Sequence, residues 1–115
     1  MDNIKELLDN GADSNTKDNN GFTLLMNYAV KNDLESMQIL LDYAARINDK
    51  DEQNYTALDY AIKYKNLNAV KLLVNNGATV SSDIYMHAVR TNNRLIINFF
   101  DSLDPEKYIF LKKKK

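Results

Sequence analysis

Thirty-three residues separate Thr23 from Thr56, and the same step carries a long run of apolar positions onto apolar positions. Leu25 falls on Leu58, Ala29 on Ile62, Leu34 on Leu67, Met37 on Val70, Leu40 on Leu73, Ala45 on Ala78 and Ile47 on Val80, with no gap in the register. A further step back sets Leu7, Leu8, Gly11, Ala12 and Asn15 on Leu40, Leu41, Ala44, Ala45 and Asn48. A fixed period of this length marks an array. Each unit is a supersecondary element that leaves an apolar face bare when alone, so neighbours must stack and share one continuous core.

The content of a unit follows from local chemistry. In "TALDYAIKY" the Thr56 hydroxyl is placed to cap a helix, and Asp59, three residues on, faces the same N-terminus as a capping box with Asp in place of Glu. Asn66 is then expected to cap a second helix, "LNAVKLLVNN", in which Leu67, Val70, Leu73 and Val74 share one face. Asp33 does the same for "LESMQILLDY", with Leu34, Met37, Leu40 and Leu41. Gly77 can enter the left-handed region and stop the helix. Each unit thus reads as helix, tight turn, helix, and a polar loop such as "NDKDEQN" leading to the next threonine.

The stretches "GFTLLMNYA", "NYTALDYAI", "ILLDYAARIN", "LLVNNGATV" and "LLDNGADSN" resemble the ankyrin repeat family, over about residues 2 to 103. The resemblance implies an all-α ankyrin-repeat solenoid of helix-turn-helix pairs joined by hairpin-like loops. The chain departs from the family pattern at Leu24 and Ala57, in the usual proline position, and at Met26 and Asp59, in the usual histidine position. Those helices lose a preorganised first turn. Ala44 stands where Gly77 stands, which predicts a residue with a side chain forced toward positive φ.

Both ends are irregular. Met1 falls at the start of a second helix in the register, so the first unit lacks a first helix; the half unit is either a cap or the remainder of a longer chain. Near the other end "DIYMHAVRTNNRLIINFFDSL" reads as a helix pair set several residues too close to the preceding unit, so the last hairpin is expected to be abbreviated, as in a terminal unit. The expected organisation is one domain over 1–115: a truncated first repeat at 1–17, repeats at 18–50 and 51–81, an atypical capping helix pair at 82–104 and a tail at 105–115. Tyr108, Ile109, Phe110 and Leu111 are expected to dock on the last helix, and Lys112 to Lys115 to remain in solvent.

Composition narrows the function. A formal net charge of −1 supplies no general attraction to nucleic acid or an anionic membrane, so neither is an expected partner. The chain has no cysteine, hence no disulfide framework, thiolate metal site or cysteine nucleophile. No apolar run has the length of a membrane span, and "MDNIKELLDN" lacks the regions of a signal peptide; the compartment stays open, with a cytoplasmic setting favoured. Four terminal lysines without interleaved aromatic residues read as a solvated end.

Candidate chemistry is thin. Asp59 would need a second functional group nearby to act as a general acid or base, and reads instead as a carboxylate at a helix N-terminus. His87 is the sole histidine and reads as structural. "DKDEQN" opens like a calcium loop with Asp49, Asp51 and Gln53, but Asn54 and Tyr60 stand where that loop needs Gly and Glu. Asn54 begins a glycosylation triplet, "NYT", of a kind that arises often by chance. No Gly-rich phosphate loop is present, and no catalytic, cofactor or metal site is expected.

Partner recognition is what the resemblance implies, by hairpin tips and the concave face lined by first helices. Carried over residue by residue, the tip positions are Asn19, Asn20 and Phe22 in one unit and Glu52, Gln53 and Tyr55 in the next. The positions near the end of the first helix are Val30, Lys31, Lys63 and Tyr64. Two readings stand for Phe22 and Tyr55: binding anchors at exposed tips, or packing against the neighbouring hairpin. The implied function is a non-catalytic scaffold that binds another protein; the alternative is a segment that targets or regulates a larger enzyme or effector.

Overall fold

The computed structural model describes residues 3–103. These form seven helices: α1 (Ile4–Asp9), α2 (Leu24–Lys31), α3 (Leu34–Asp42), α4 (Ala57–Lys63), α5 (Leu67–Asn75), α6 (Ser82–Thr91) and α7 (Arg94–Leu103). The only β pairing among the described residues is an isolated antiparallel bridge between Lys17 and Thr23. The expectations for Tyr108–Leu111 and Lys112–Lys115 concern residues outside this range.

Helix starts are set by short side chains that reach back to free backbone donors. Thr23 Oγ1 accepts from Met26 N at 3.1 Å, Thr56 Oγ1 from Asp59 N at 3.3 Å and Ser81 Oγ from Ile84 N at 3.2 Å. Asp59 closes the box by accepting from Thr56 N at 2.9 Å, whereas at α2 the return acceptor is the thioether of Met26, 3.4 Å from Thr23 N. Asp33 caps α3 as expected, accepting from Ser36 N at 3.2 Å.

Asn66 departs from expectation. It occupies the N-cap position of α5, yet its side chain makes no cap bond. Its Nδ2 instead donates to the carbonyls of Ala29 at 2.8 Å and Val30 at 3.1 Å, across the unit boundary. The amide carries donors that an aspartate lacks, and the last carbonyls of α2 have acceptor capacity to spare, Ala29 O taking only the N–H of the cap residue Asn32 at 3.2 Å besides.

The second helices end in a repeated motif. Gly11, Ala44 and Gly77 all have positive φ, at 100°, 67° and 98°. The following alanine N–H returns to the helix each time: Ala12 to Leu7 O at 3.0 Å, Ala45 to Leu40 O at 3.0 Å and Ala78 to Leu73 O at 2.9 Å. Ala44 thus adopts the left-handed conformation that the register predicts. The turns between paired helices need the same region at Asn32, Lys65 and Asn92, with φ of 56°, 60° and 57°.

Stacking makes two rows of helices, α2, α4 and α6 in one and α1, α3, α5 and α7 in the other. Met37, Leu40, Leu58, Ile62, Val70, Leu73, Ile96 and Phe100 lie fully buried along the seam. The core is a line rather than a ball, as the period requires. A polar ladder pins one loop to the next: Asn15 Oδ1 accepts from Arg46 N at 2.7 Å, and Asn48 Oδ1, one period on, accepts from Thr79 N at 3.1 Å.

Candidate functional site

Two hairpins project from the stack, and an aspartate organises each. Asp18 Oδ1 accepts from the N–H groups of Asn20 and Phe22, both at 2.9 Å; Asp51 Oδ1 accepts from those of Gln53 at 2.9 Å and Tyr55 at 3.0 Å. Folding the loop around a carboxylate leaves Asn19, Asn20, Glu52 and Gln53 exposed at the tips. The hairpins are bonded side by side, with Glu52 N donating to Asn20 O at 2.9 Å. Gly21 sits at their contact; a Cβ there would stand 3.1 Å from Asp51 Cα, so the close approach needs a glycine.

Phe22 and Tyr55 are half-buried, and their rings pack rather than project. Phe22 lies edge-on to Tyr60 of the next unit, centroids 5.2 Å apart, and Tyr55 meets Tyr60 at 5.3 Å and His87 of its own next unit at 5.4 Å. Tyr60 donates its phenol to Asp51, and burial together with that bond pushes its pKa well above the usual phenol range. Of the two readings open for these rings, the geometry is that of packing between units. An exposed aromatic tip is not formed.

Of the helix-end candidates, Lys31, Lys63 and Tyr64 are exposed and Val30 is half-buried. Lys31 Nζ stands 5.9 Å from the centre of the Tyr28 ring and Lys63 Nζ 5.7 Å from that of Tyr64, within cation–π range.

His87 and Asp59 come together, which spacing alone does not reveal. His87 is only 7% exposed, and its Nδ1 lies 2.9 Å from Asp59 Oδ1 across the boundary between α4 and α6. Facing a carboxylate, the imidazole donates from Nδ1. The other oxygen of Asp59 accepts from Thr56 N and from the Thr56 hydroxyl, at 2.9 and 3.2 Å. One carboxylate therefore caps a helix and ties it to the next unit. Among the described residues no hydroxyl is hydrogen-bonded to His87, and no cluster of three or more His, Cys, Asp or Glu is placed to hold a metal ion.

A family model described as ankyrin repeats, in three copies, matches residues 1–84. The chain belongs to the ankyrin repeat family. No curated protein matches it. Ankyrin repeats are generally protein–protein interaction modules and typically non-catalytic scaffolds. No helix among the described residues is long and apolar enough to cross a membrane.

The match stops within α6. The ankyrin spacing changes there: the residues that open the second helices, Asp33, Asn66 and Asn93, are separated by 33 and then by 27 positions. Val80 is followed directly by Ser81, the N-cap of α6, so the last ankyrin unit has no hairpin. In its place a groove of about 400 Å³ lies between the hairpin of the preceding unit and α6, with Asp59 and His87 among its lining. The shortened spacing and an abbreviated last hairpin were legible in the sequence; that the hairpin is missing altogether and a groove lies in its place was not.

Proposed function

We propose that the protein is a non-catalytic scaffold whose hairpin tips and adjoining helix ends bind another protein. The supporting observation is the pair of tips bearing Asn19, Asn20, Glu52 and Gln53. All four side chains are exposed, while the backbone beneath them is fixed twice, by an aspartate inside each hairpin and by the Glu52–Asn20 bond between hairpins. A surface ordered before it meets a partner loses little conformational entropy on binding. Lys31, Lys63 and Tyr64 extend it with two cations and an aromatic ring. Phe22 and Tyr55 serve it from below, holding each hairpin to the next unit.

The test is affinity capture with the wild-type domain against a variant carrying Asn19→Ala, Asn20→Ala, Glu52→Ala and Gln53→Ala, with circular dichroism to show that both are folded. A protein retained by the wild type and lost by the variant is the expected result. Equal retention by both would move the binding surface away from the tips.

A further inference from the structure

The two hairpins form a stack that stops one member short. Hairpin two, residues 17–23 in the second unit, presents Asn20 O, and hairpin three, residues 50–56 in the third, answers with Glu52 N. One period on, the carbonyl in the place of Asn20 is that of Gln53, and among the described residues no N–H donates to it. The missing donor would belong to a hairpin that the chain omits between Val80 and Ser81. A carbonyl left open at this register position can accept an N–H from a turn of another chain, as Asn20 O accepts from Glu52.

The side-chain register describes the same vacancy. His87 occupies in α6 the place that Tyr60 occupies in α4, each packed by the ring of the preceding hairpin, Tyr55 and Phe22 respectively. Tyr60 bonds to the aspartate of its own hairpin. Its counterpart has no such hairpin and pairs backwards with Asp59. Asn54 stands in register with Gly21, at a φ of 68° against 78°. A side chain is tolerated at Asn54 because no hairpin presses on it, as hairpin three presses on Gly21. The groove's lining carries Lys50 and Arg90 together with Asp59 and Asp83, so the aspartate expected of the occupant rests on the repeat, in which each hairpin folds around one.

We propose that this groove receives a tight, aspartate-bearing turn of a partner polypeptide, which completes the hairpin stack by donating a backbone N–H to the Gln53 carbonyl. The inference rests on the hairpins being the recognition surface and names the kind of segment they accept. A turn like the chain's own hairpins fits, since hairpin three already stacks on a surface related to this one by the repeat. The occupant stands off by a few tenths of an ångström where Asn54 replaces glycine.

The probe is a cyclised peptide with the sequence of residues 50–56, KDEQNYT, titrated into the isotopically labelled chain and followed by amide chemical shifts. Shifts centred on Gln53, Asn54 and His87 are expected. Asn54→Gly, which restores the surface that Gly21 gives hairpin two, should tighten binding about threefold or more. A chain with a copy of Lys50–Tyr55 inserted between Val80 and Ser81 fills the groove covalently and should lose the response. Absence of shifts at these residues, shifts centred elsewhere, or an undiminished response in the insertion variant overturns the proposal. If the peptide fails while the tip variant still loses its captured protein, only the groove is refuted; if the tip variant keeps its protein, the tip reading itself is refuted.

Discussion

At Ala44 and Lys65 the backbone holds φ of 67° and 60°, a region that costs an ordinary L-residue about 1–2 kcal/mol relative to glycine in steric terms. At the positions in register with Ala44, Gly11 and Gly77, the space that a Cβ would occupy is open, so the penalty at Ala44 lies in the dihedral rather than in a clash. Glycine gives back part of the gain through a more flexible unfolded chain. Ala44→Gly and Lys65→Gly should each raise stability by about 0.5–1 kcal/mol. Urea denaturation checks this, with a higher midpoint and an unchanged slope expected. A lowered midpoint at either site would mean that its positive φ is not maintained in solution.

At the scale of elements, Asn66 and Asp59 separate capping from stacking. Aspartate is as good an N-cap as asparagine, so a helix considered alone predicts no loss for Asn66→Asp. In the stack, however, that change sets a carboxylate against the carbonyls of Ala29 and Val30, at the negative end of the α2 dipole. We expect Asn66→Asp to cost about 1–2 kcal/mol, and a neutral result in equilibrium unfolding would show that the cross-unit bonds contribute nothing. For Asp59→Ala the expected cost is about 1–2 kcal/mol, from the lost capping box and the lost tie to His87. A double-mutant cycle with His87→Ala isolates the tie: a coupling energy of about 0.5 kcal/mol or more is expected, and strict additivity would mean that Asp59 acts through its cap alone.

For the whole molecule, the array is held by contacts between neighbouring units, so a titratable group at one junction is felt along the stack. Tyr60 sits at such a junction, against Phe22 and Tyr55, and its phenol is held neutral first by burial and then by its bond to Asp51. A folded pKa raised above the unfolded value of about 10 means stabilisation that is complete below about pH 10 and is lost as pH climbs above it. Thermal melts from neutral to strongly alkaline pH should therefore show a fall in Tm above about pH 10. Tyr60→Phe should start lower at neutral pH, having lost the hydroxyl, and show a shallower alkaline fall. Parallel curves would assign the loss to other groups. At the acid limit the sign reverses for Asp9, whose pKa is lowered by bonds from Tyr43 and Lys5: its contribution is present above the ordinary carboxylate range and fades as pH falls through it.

The period, the caps at Thr56 and Asp33, and the left-handed turn at Ala44 were all legible in the sequence, because each depends on residues within one turn of helix or on identical spacing. The tip positions Asn19, Asn20, Glu52 and Gln53 came from the resemblance to the family, and the aspartates that fold each loop on itself came from the structure. What only the tertiary structure decided involves partners in different units. Asn66 reaches the end of α2 instead of capping α5, Phe22 and Tyr55 lie against Tyr60 and His87 instead of facing solvent, and His87 finds Asp59. Each outcome turns on which side chains stacking brings face to face, and on whether the vacant acceptor or apolar surface of a neighbour competes better than water or the local backbone. Register says which positions are equivalent; only superposed units show that an omitted hairpin leaves a carbonyl without its donor.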